Sequence, residues 1–211
     1  MSINDMFANE SVGRTSRREL LRSFAIAGAG SAIVIAPWSE ALTALQRQYA
    51  DAPVTLRRSR ESRDLSRDRF QSAEIAFAGT EAGFFRRHVR TTLHQAGAVA
   101  KLALCAYLLD VGFSDAWNAE HIRQDIAKAL AYANATGFGL DCPDMARLAV
   151  ILTPYWKWGY PHLIGDPPMD DGGFSPDQVC LLIRALLDRV HDVTGHARLA
   201  TADQRNTTIA S

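Results

Sequence analysis

The stretch that most constrains the fold is AGAVAKLALCAYLL, residues 96 to 109, which is nearly all apolar. A helix that is apolar almost all round has to be buried on every side. This segment is therefore expected to be the central core helix, and the remaining helices have to cover it. The helix is predicted from Phe84 to Leu109. Its early part is polar (Arg86, Arg87, His88, Arg90, His94), and Gly112 provides a C-terminal stop. A second helix is predicted from the cap Ser114 to about Thr136, with Ile122, Ile126, Leu130 and Ala133 repeating on one face and Gly137 and Gly139 closing it. A third runs from Asp141 to Leu152, with Pro143 at an early, tolerated position and Pro154 ending it. A last helix starts at the cap Ser175 with Pro176 first, runs to about Val193 and stops at Gly195. Its buried face is expected to be Leu181, Leu182, Ala185, Leu186, Val190 and Val193. No hairpin signal and no repeat appears. The expected fold is all-α, a single bundle of four or five helices.

Charge and side-chain inventory narrow the functional classes. Lys+Arg and Asp+Glu are equal at 23 each. A chain with no basic excess is a poor phosphate neutraliser, which argues against nucleic acid as a partner. Twenty of the 23 basic residues are Arg, and the three lysines are Lys101, Lys128 and Lys157. Cys105, Cys142 and Cys180 are widely spaced, with no CxxC or zinc-like pattern. Cys105 and Cys180 sit in apolar helical runs, where free cysteine behaves as a small buried hydrophobe. In an oxidising compartment one disulfide is open to the three. The six histidines form no HExxH and no Glu-x-x-His pair; His191 and His196, near a helix end, read as favourable charge at a C-terminus. Asp166, Asp170 and Asp171, with Gly172 and Gly173, lack the EF-hand order and read as a turn leading into a helix. No metal, no cofactor and no catalytic set is expected from these patterns, and the chain reads as non-enzymatic.

The N-terminus suggests an address. Arg14, Arg17, Arg18 and Arg22 form a positive region, and Ser23 to Ala36 is an apolar run too short to span a bilayer of about 20 helical residues. Pro37 ends it, and Ser39-Glu40-Ala41 places small residues at the −3 and −1 positions of a cleavage before Leu42. Gly28-Ala29-Gly30 could open a dinucleotide-binding turn, but Ile33 holds the third glycine position and no strand–helix alternation follows. Ser16 and Glu19 could form the capping box of an ordinary helix, but that helix would have no polar face. Ser16-Arg17-Arg18-Glu19-Leu20-Leu21-Arg22 resembles the twin-arginine export signal Ser-Arg-Arg-x-Phe-Leu-Lys. The resemblance implies contact with the twin-arginine translocation machinery, which carries folded proteins, and a periplasmic or secreted destination. Membrane contact is then expected through the signal segment alone. The resulting organisation is a signal peptide over 1–41, a polar Arg-rich linker over 42–69, a helical domain over 70–198 with its body starting near Phe70, and a flexible tail over 199–211.

Residues 153–176, TPYWKWGYPHLIGDPPMDDGGFSP, form the candidate recognition loop. Trp and Tyr dominate binding hot spots, and a loop on a rigid helical scaffold is a common place for function. Tyr155, Trp156, Trp158, Tyr160, His162 and Asp166 are the candidate partner- or ligand-binding residues. The plan of a twin-arginine signal, about 170 mature residues, all helix and no evident catalytic set resembles the small accessory subunits of periplasmic flavin-dependent sugar dehydrogenases. Tyr155-Trp156-Lys157-Trp158-Gly159-Tyr160 is loosely similar to that family's Trp-Tyr-x-Gly motif. The resemblance implies an exported helical subunit that escorts a folded flavin-dependent catalytic partner, with no catalytic residue of its own. Two alternatives stand beside it. One is a small helical ligand-binding protein or enzyme using loop 155–166. The other is a cytoplasmic interaction protein, since residues 122–168 loosely resemble helical segments encoded beside type VI secretion loci.

Overall fold

The apolar stretch is the core of the helix α3, Val89–Val111, and other helices pack around it. In the computed structural model the residues described are 38–81, 88–157 and 170–198, without the side chains of 156 and 157. The helices are α1 Ser39–Tyr49, α2 Arg60–Glu81, α3 Val89–Val111, α4 Asp115–Trp117, α5 Ile126–Ala135, α6 Pro143–Lys157 and α7 Pro176–Thr194; α4 continues as a π-helical turn, Asn118–Ile122. No strand occurs among the described residues, and the fold is all-α. Helices α2, α5, α6 and α7 all pack on α3, and α1 lies on α5. Leu93, Val99, Leu104, Tyr107 and Leu108 of α3 are at most 1% exposed, so the helix is enclosed over nearly its whole length.

Local chemistry explains most boundaries. Ser114 caps α4 by accepting from the Trp117 N–H at 3.1 Å. Ser175 and Gln178 form a full capping box at the start of α7, with Pro176 beside it, and Gly195 ends the helix in the left-handed conformation at φ 70°. At the end of α3, Gly112 adopts φ 120° and accepts the Arg57 N–H at 2.9 Å, which brings the segment between α1 and α2 against the helix terminus. Helices α2 and α7 are fastened by Arg184, which pairs with Glu74 and Glu81 while its guanidinium lies 4.6 Å from the centroid of the Phe77 ring.

Several expectations are corrected. Residues 42–69 are not a linker: α1 packs Leu42, Leu45 and Tyr49 on the core, and α2 begins at Arg60. Its buried face, Ser66, Phe70, Ala73, Phe77 and Thr80, has helical spacing and runs through Gly79, whereas Ile75 is 63% exposed. The helix expected over 114–136 is interrupted after Ile122, where Arg123 takes φ 49°. Helix α6 does not end at Pro154 but passes through it to Lys157. Val150 and Pro154 are both exposed, so the carbonyl deprived of its helical donor lies on the solvent side of the helix, where water can satisfy it. On α7 the buried face is Val179, Ile183, Leu186, Leu187 and Val190, while Leu181 is 71% exposed. Cys105 and Cys180 are buried, and none of the three cysteines is in a disulfide. Residues 1–37 of the expected signal peptide and the expected tail from 199 lie outside the described residues.

His196 is not a charged helix-end residue. It is buried, its Nε2 is 2.7 Å from Ser66 Oγ, and that hydroxyl is 2.6 Å from the Ala106 carbonyl oxygen. A carbonyl only accepts, so the Ser66 proton goes to Ala106 and His196 donates from Nε2. Ser66 therefore links α2, α3 and the segment after α7. Burial holds the His196 pKa below its ordinary value, with the nearby Arg63 and Arg67 adding to the effect and Asp110 opposing it.

Two measurements test this account. Gly112→Ala would place a Cβ 2.8 Å from the Arg57 backbone nitrogen at a φ that L-residues rarely adopt. It is expected to cost about 1–3 kcal/mol, read as a lower midpoint in urea denaturation. The lowered His196 pKa means that the unfolded chain takes the proton more readily. Its contribution is intact above about pH 6.5, the ordinary imidazole value, and is lost as pH falls below it toward the folded value. Stability measured from pH 7.5 to 5 is expected to decline, and His196→Gln is expected to flatten that decline.

Candidate functional site

An open cleft of about 1010 Å³ lies between the end of α1, α2, α3, the α4–π segment and the start of α5. The most heavily bonded group in its wall is the carboxylate of Asp51. Ala50 ends α1 in the left-handed conformation, φ 55°, and the Asp51 N–H returns to the Gln46 carbonyl at 2.9 Å. This turn aims the Asp51 side chain inward, where it is only 5% exposed. Lys128 Nζ donates to Oδ1 at 2.7 Å, the Tyr132 hydroxyl donates to Oδ2 at 2.6 Å, and His121 Nδ1 stands 3.3 Å from Oδ1. Lys128 also sits 4.9 Å from the centroid of the Tyr49 ring. Burial alone would raise the pKa of Asp51. The hydrogen bonds from Lys128 and Tyr132, with the charges of Lys128 and His121, outweigh burial and hold it below the usual carboxylate value. Tyr132 is pushed well above the ordinary phenol value, first by burial and then by its bond to the Asp51 carboxylate.

Each of these side chains has its own support. Asp125 starts α5 by accepting the Lys128 N–H at 2.8 Å, and Thr153 Oγ1 on α6 accepts the Ile126 N–H at 3.0 Å. The first turn of α5, which carries Lys128, thus has its unpaired donors satisfied from two directions. Trp117 packs edge-on to Tyr132 with centroids 5.0 Å apart and lies 4.9 Å from the His121 ring. Across the cleft Arg69 pairs with Asp115 at 2.6 Å.

Three kinds of irregularity meet here. The turn Asn118–Ile122 is π-helical, a form that occurs often at functional sites. Ala50 and Arg123, the non-glycine residues with positive φ among those described, flank Asp51 and line the cleft, respectively. Such conformations cost of order 1–3 kcal/mol each and gather at sites where they serve a purpose. Asn118, in the cleft wall, is 1% exposed, and among the described residues neither atom of its amide has a partner; Trp117 Nε1 beside it also lacks one there. Buried polar groups are nearly always paired, so these orphans require a reason.

The residues singled out from sequence are elsewhere. Tyr155 is not an exposed anchor: it is 0% exposed within the core, and its carbonyl lies 3.2 Å from His94 Nδ1. The Trp156 side chain, Trp158, Tyr160, His162 and Asp166 lie outside the described residues, as do Ser16, Arg17, Arg18, Leu20 and Leu21. Asp170 and Asp171 each accept a backbone N–H, from Gly172 and Gly173 respectively, in the turn before α7. Among the described residues no group of His, Cys, Asp or Glu is arranged to hold a metal. No protein-family model, curated protein or solved structure matches the chain.

Replacing Asp51 tests this part of the cleft wall. Asp51→Asn leaves the nearly buried Lys128 ammonium without its counter-charge and is expected to cost about 3 kcal/mol at neutral pH. Because the folded pKa of Asp51 is lowered, its contribution is present above the ordinary carboxylate value and is lost as pH falls through the folded one. Thermal melts at pH 7 and pH 3 are expected to show a wide gap between wild type and variant that narrows in acid.

Proposed function

We propose that this chain is an exported, non-catalytic helical binding protein that serves as an accessory or escort subunit. Its expected partner class is a folded protein such as an oxidoreductase catalytic subunit. The observation that carries the non-catalytic part is the state of the cleft's acid–base groups. The Asp51 carboxylate is fully engaged by Lys128 and Tyr132 and is held below the usual carboxylate range, while Tyr132 is held above the phenol range. A general acid or base works best with its pKa near the operating pH. Both groups are moved away from neutrality, so the arrangement suits holding and not proton transfer. The export part rests on the arginine pair, the short apolar run and the small residues before Leu42.

A second reading, a small-ligand-binding protein, is favoured by the cleft itself. Its volume suits a small molecule, and its charged groups are held in place by hydrogen bonds and ring contacts.

The decisive experiment is mass spectrometry of the native protein's N-terminus together with the mass of the complex it purifies in. A mature start near Leu42 and a stoichiometric oxidoreductase partner are the expected results. An intact residue 1 or 2 would overturn export and favour the cytoplasmic interaction reading, and a strictly monomeric mature protein would overturn the escort role.

A further inference from the structure

Two of the chain's three lysines, Lys101 and Lys128, line the cleft, although Arg outnumbers Lys twenty to three. Lys128 is committed to Asp51. Lys101 is not committed to anything comparable. It is the one charged residue in the 96–109 stretch of the core helix, it is half-buried, and it stands one turn from Cys105 on the side of α3 that forms the cleft wall. Among the described residues its ammonium has no hydrogen-bonding or ion-pair partner. A lysine presents a compact point charge with three donors that can turn to meet an incoming anion, where the planar fork of an arginine is fixed.

The cleft as a whole is not a site for an anion alone. Its walls carry four Lys or Arg side chains and four Asp or Glu side chains. Lys128 and Asp51 pair with each other, as do Arg69 and Asp115, which leaves Lys101 and Arg123 facing Glu120 and Asp125, so a guest of either sign alone meets both signs of charge. A dipolar guest can pair at both ends. Glu120, on the π-helical segment and 3.8 Å from His121 Nε2, and Asp125, whose second carboxylate oxygen is left over from the bond that caps α5, supply carboxylates, while Lys101 supplies the cation from α3. Behind that wall the Asn118 amide is buried, and among the described residues neither of its atoms has a hydrogen-bond partner.

We infer that the cleft binds a small zwitterion of the amino-acid class, its carboxylate on Lys101 and its ammonium on the Glu120–Asp125 side. This rests on the small-ligand reading of the cleft. The irregular segment next to it gives the inference a second footing. An unpartnered buried amide is destabilising, so Asn118 and the π-helical turn are features kept against stability, as binding sites often are.

Calorimetric titration of the purified full chain with the proteinogenic L-amino acids singly is the test, with succinate and putrescine as single-sign controls. At least one amino acid is expected to bind saturably while neither control does. Lys101→Met is expected to weaken that binding about tenfold or more without lowering the melting temperature, because it removes a half-buried charge from an apolar helix. Asn118→Ala, which removes an unpaired buried amide, is expected to raise the melting temperature. Binding of succinate or putrescine as tightly as any amino acid overturns the zwitterion class while leaving the cleft a binding site. Amino-acid binding unchanged in Lys101→Met overturns the assigned anchor and with it the inference. Failure of all three probe types overturns the small-ligand reading as well.

Discussion

The burial of α3 is the constraint on which the rest of the fold depends. Val89–Val111 is long and apolar enough to cross a membrane by length and composition, and it is mostly enclosed by protein. A helix with so little polar face cannot lie on a surface, so its neighbours have to surround it. Helices α2, α5, α6 and α7 each contribute an apolar stripe to that surround, and α1 extends the cover over α5. Tyr107 shows how polar atoms are carried inside such a core: its ring packs 4.7 Å from Phe138 while its hydroxyl donates to the Thr136 carbonyl at 2.7 Å.

The cleft lies where this cover is made of irregular backbone. The short α4, the π-helical turn, the left-handed Ala50 and the strained Arg123 all border it, whereas the long helices α2, α3 and α7 are regular away from it. The irregular elements share one effect. They bring Asp51 from the end of α1 and His121 from the π turn up to Lys128 and Tyr132 of the regular helix α5. None of these placements follows from helix packing alone. Asp51 in particular needs the reversal at Ala50, and without it the chain after α1 would not turn its carboxylate toward α5.

Much of the fold is legible in the sequence, and the reasons are local. The Ser175–Gln178 box, Pro176 and Gly195 fix the ends of α7 by chemistry that needs no partner, and Ser114 does the same for α4. What was not legible depends on surfaces formed far away in the chain. Residues 42–69 are rich in Arg and Ser and look solvated, yet Leu42, Leu45, Tyr49 and Val54 find apolar surface only once the other helices are in place. The break at Arg123 has no Gly or Pro to announce it. The site was less legible still. Attention falls on the tryptophans of 153–176 because aromatic residues in a loop are conspicuous, and the structure buries Tyr155. The signal that could have led to the cleft is quieter: Lys101 and Lys128 interrupt the apolar faces of α3 and α5. An ionisable residue at a position that should be apolar is retained only if something pairs with it or uses it.

The proposed route of export and the geometry of the cleft are linked through α1. A cut before Leu42 removes the first turn of α1, including Ser39, whose carbonyl accepts the Thr43 hydroxyl, and it leaves Leu42, Leu45 and Tyr49 as the docking face. Those three side chains lie on the core-facing side of the helix, and the Ala50 turn that aims Asp51 lies at the far end from the cut. The cut therefore shortens the helix without touching the groups that build the site. The short remaining helix would be marginal in water by itself, so its order must come from packing on α5 and from the Asp51–Lys128–Tyr132 bonds. A pathway that carries folded proteins fits that requirement. The site would be assembled, with α1 already docked, before the signal is removed, and the ion pair would then hold in place a helix too short to hold itself.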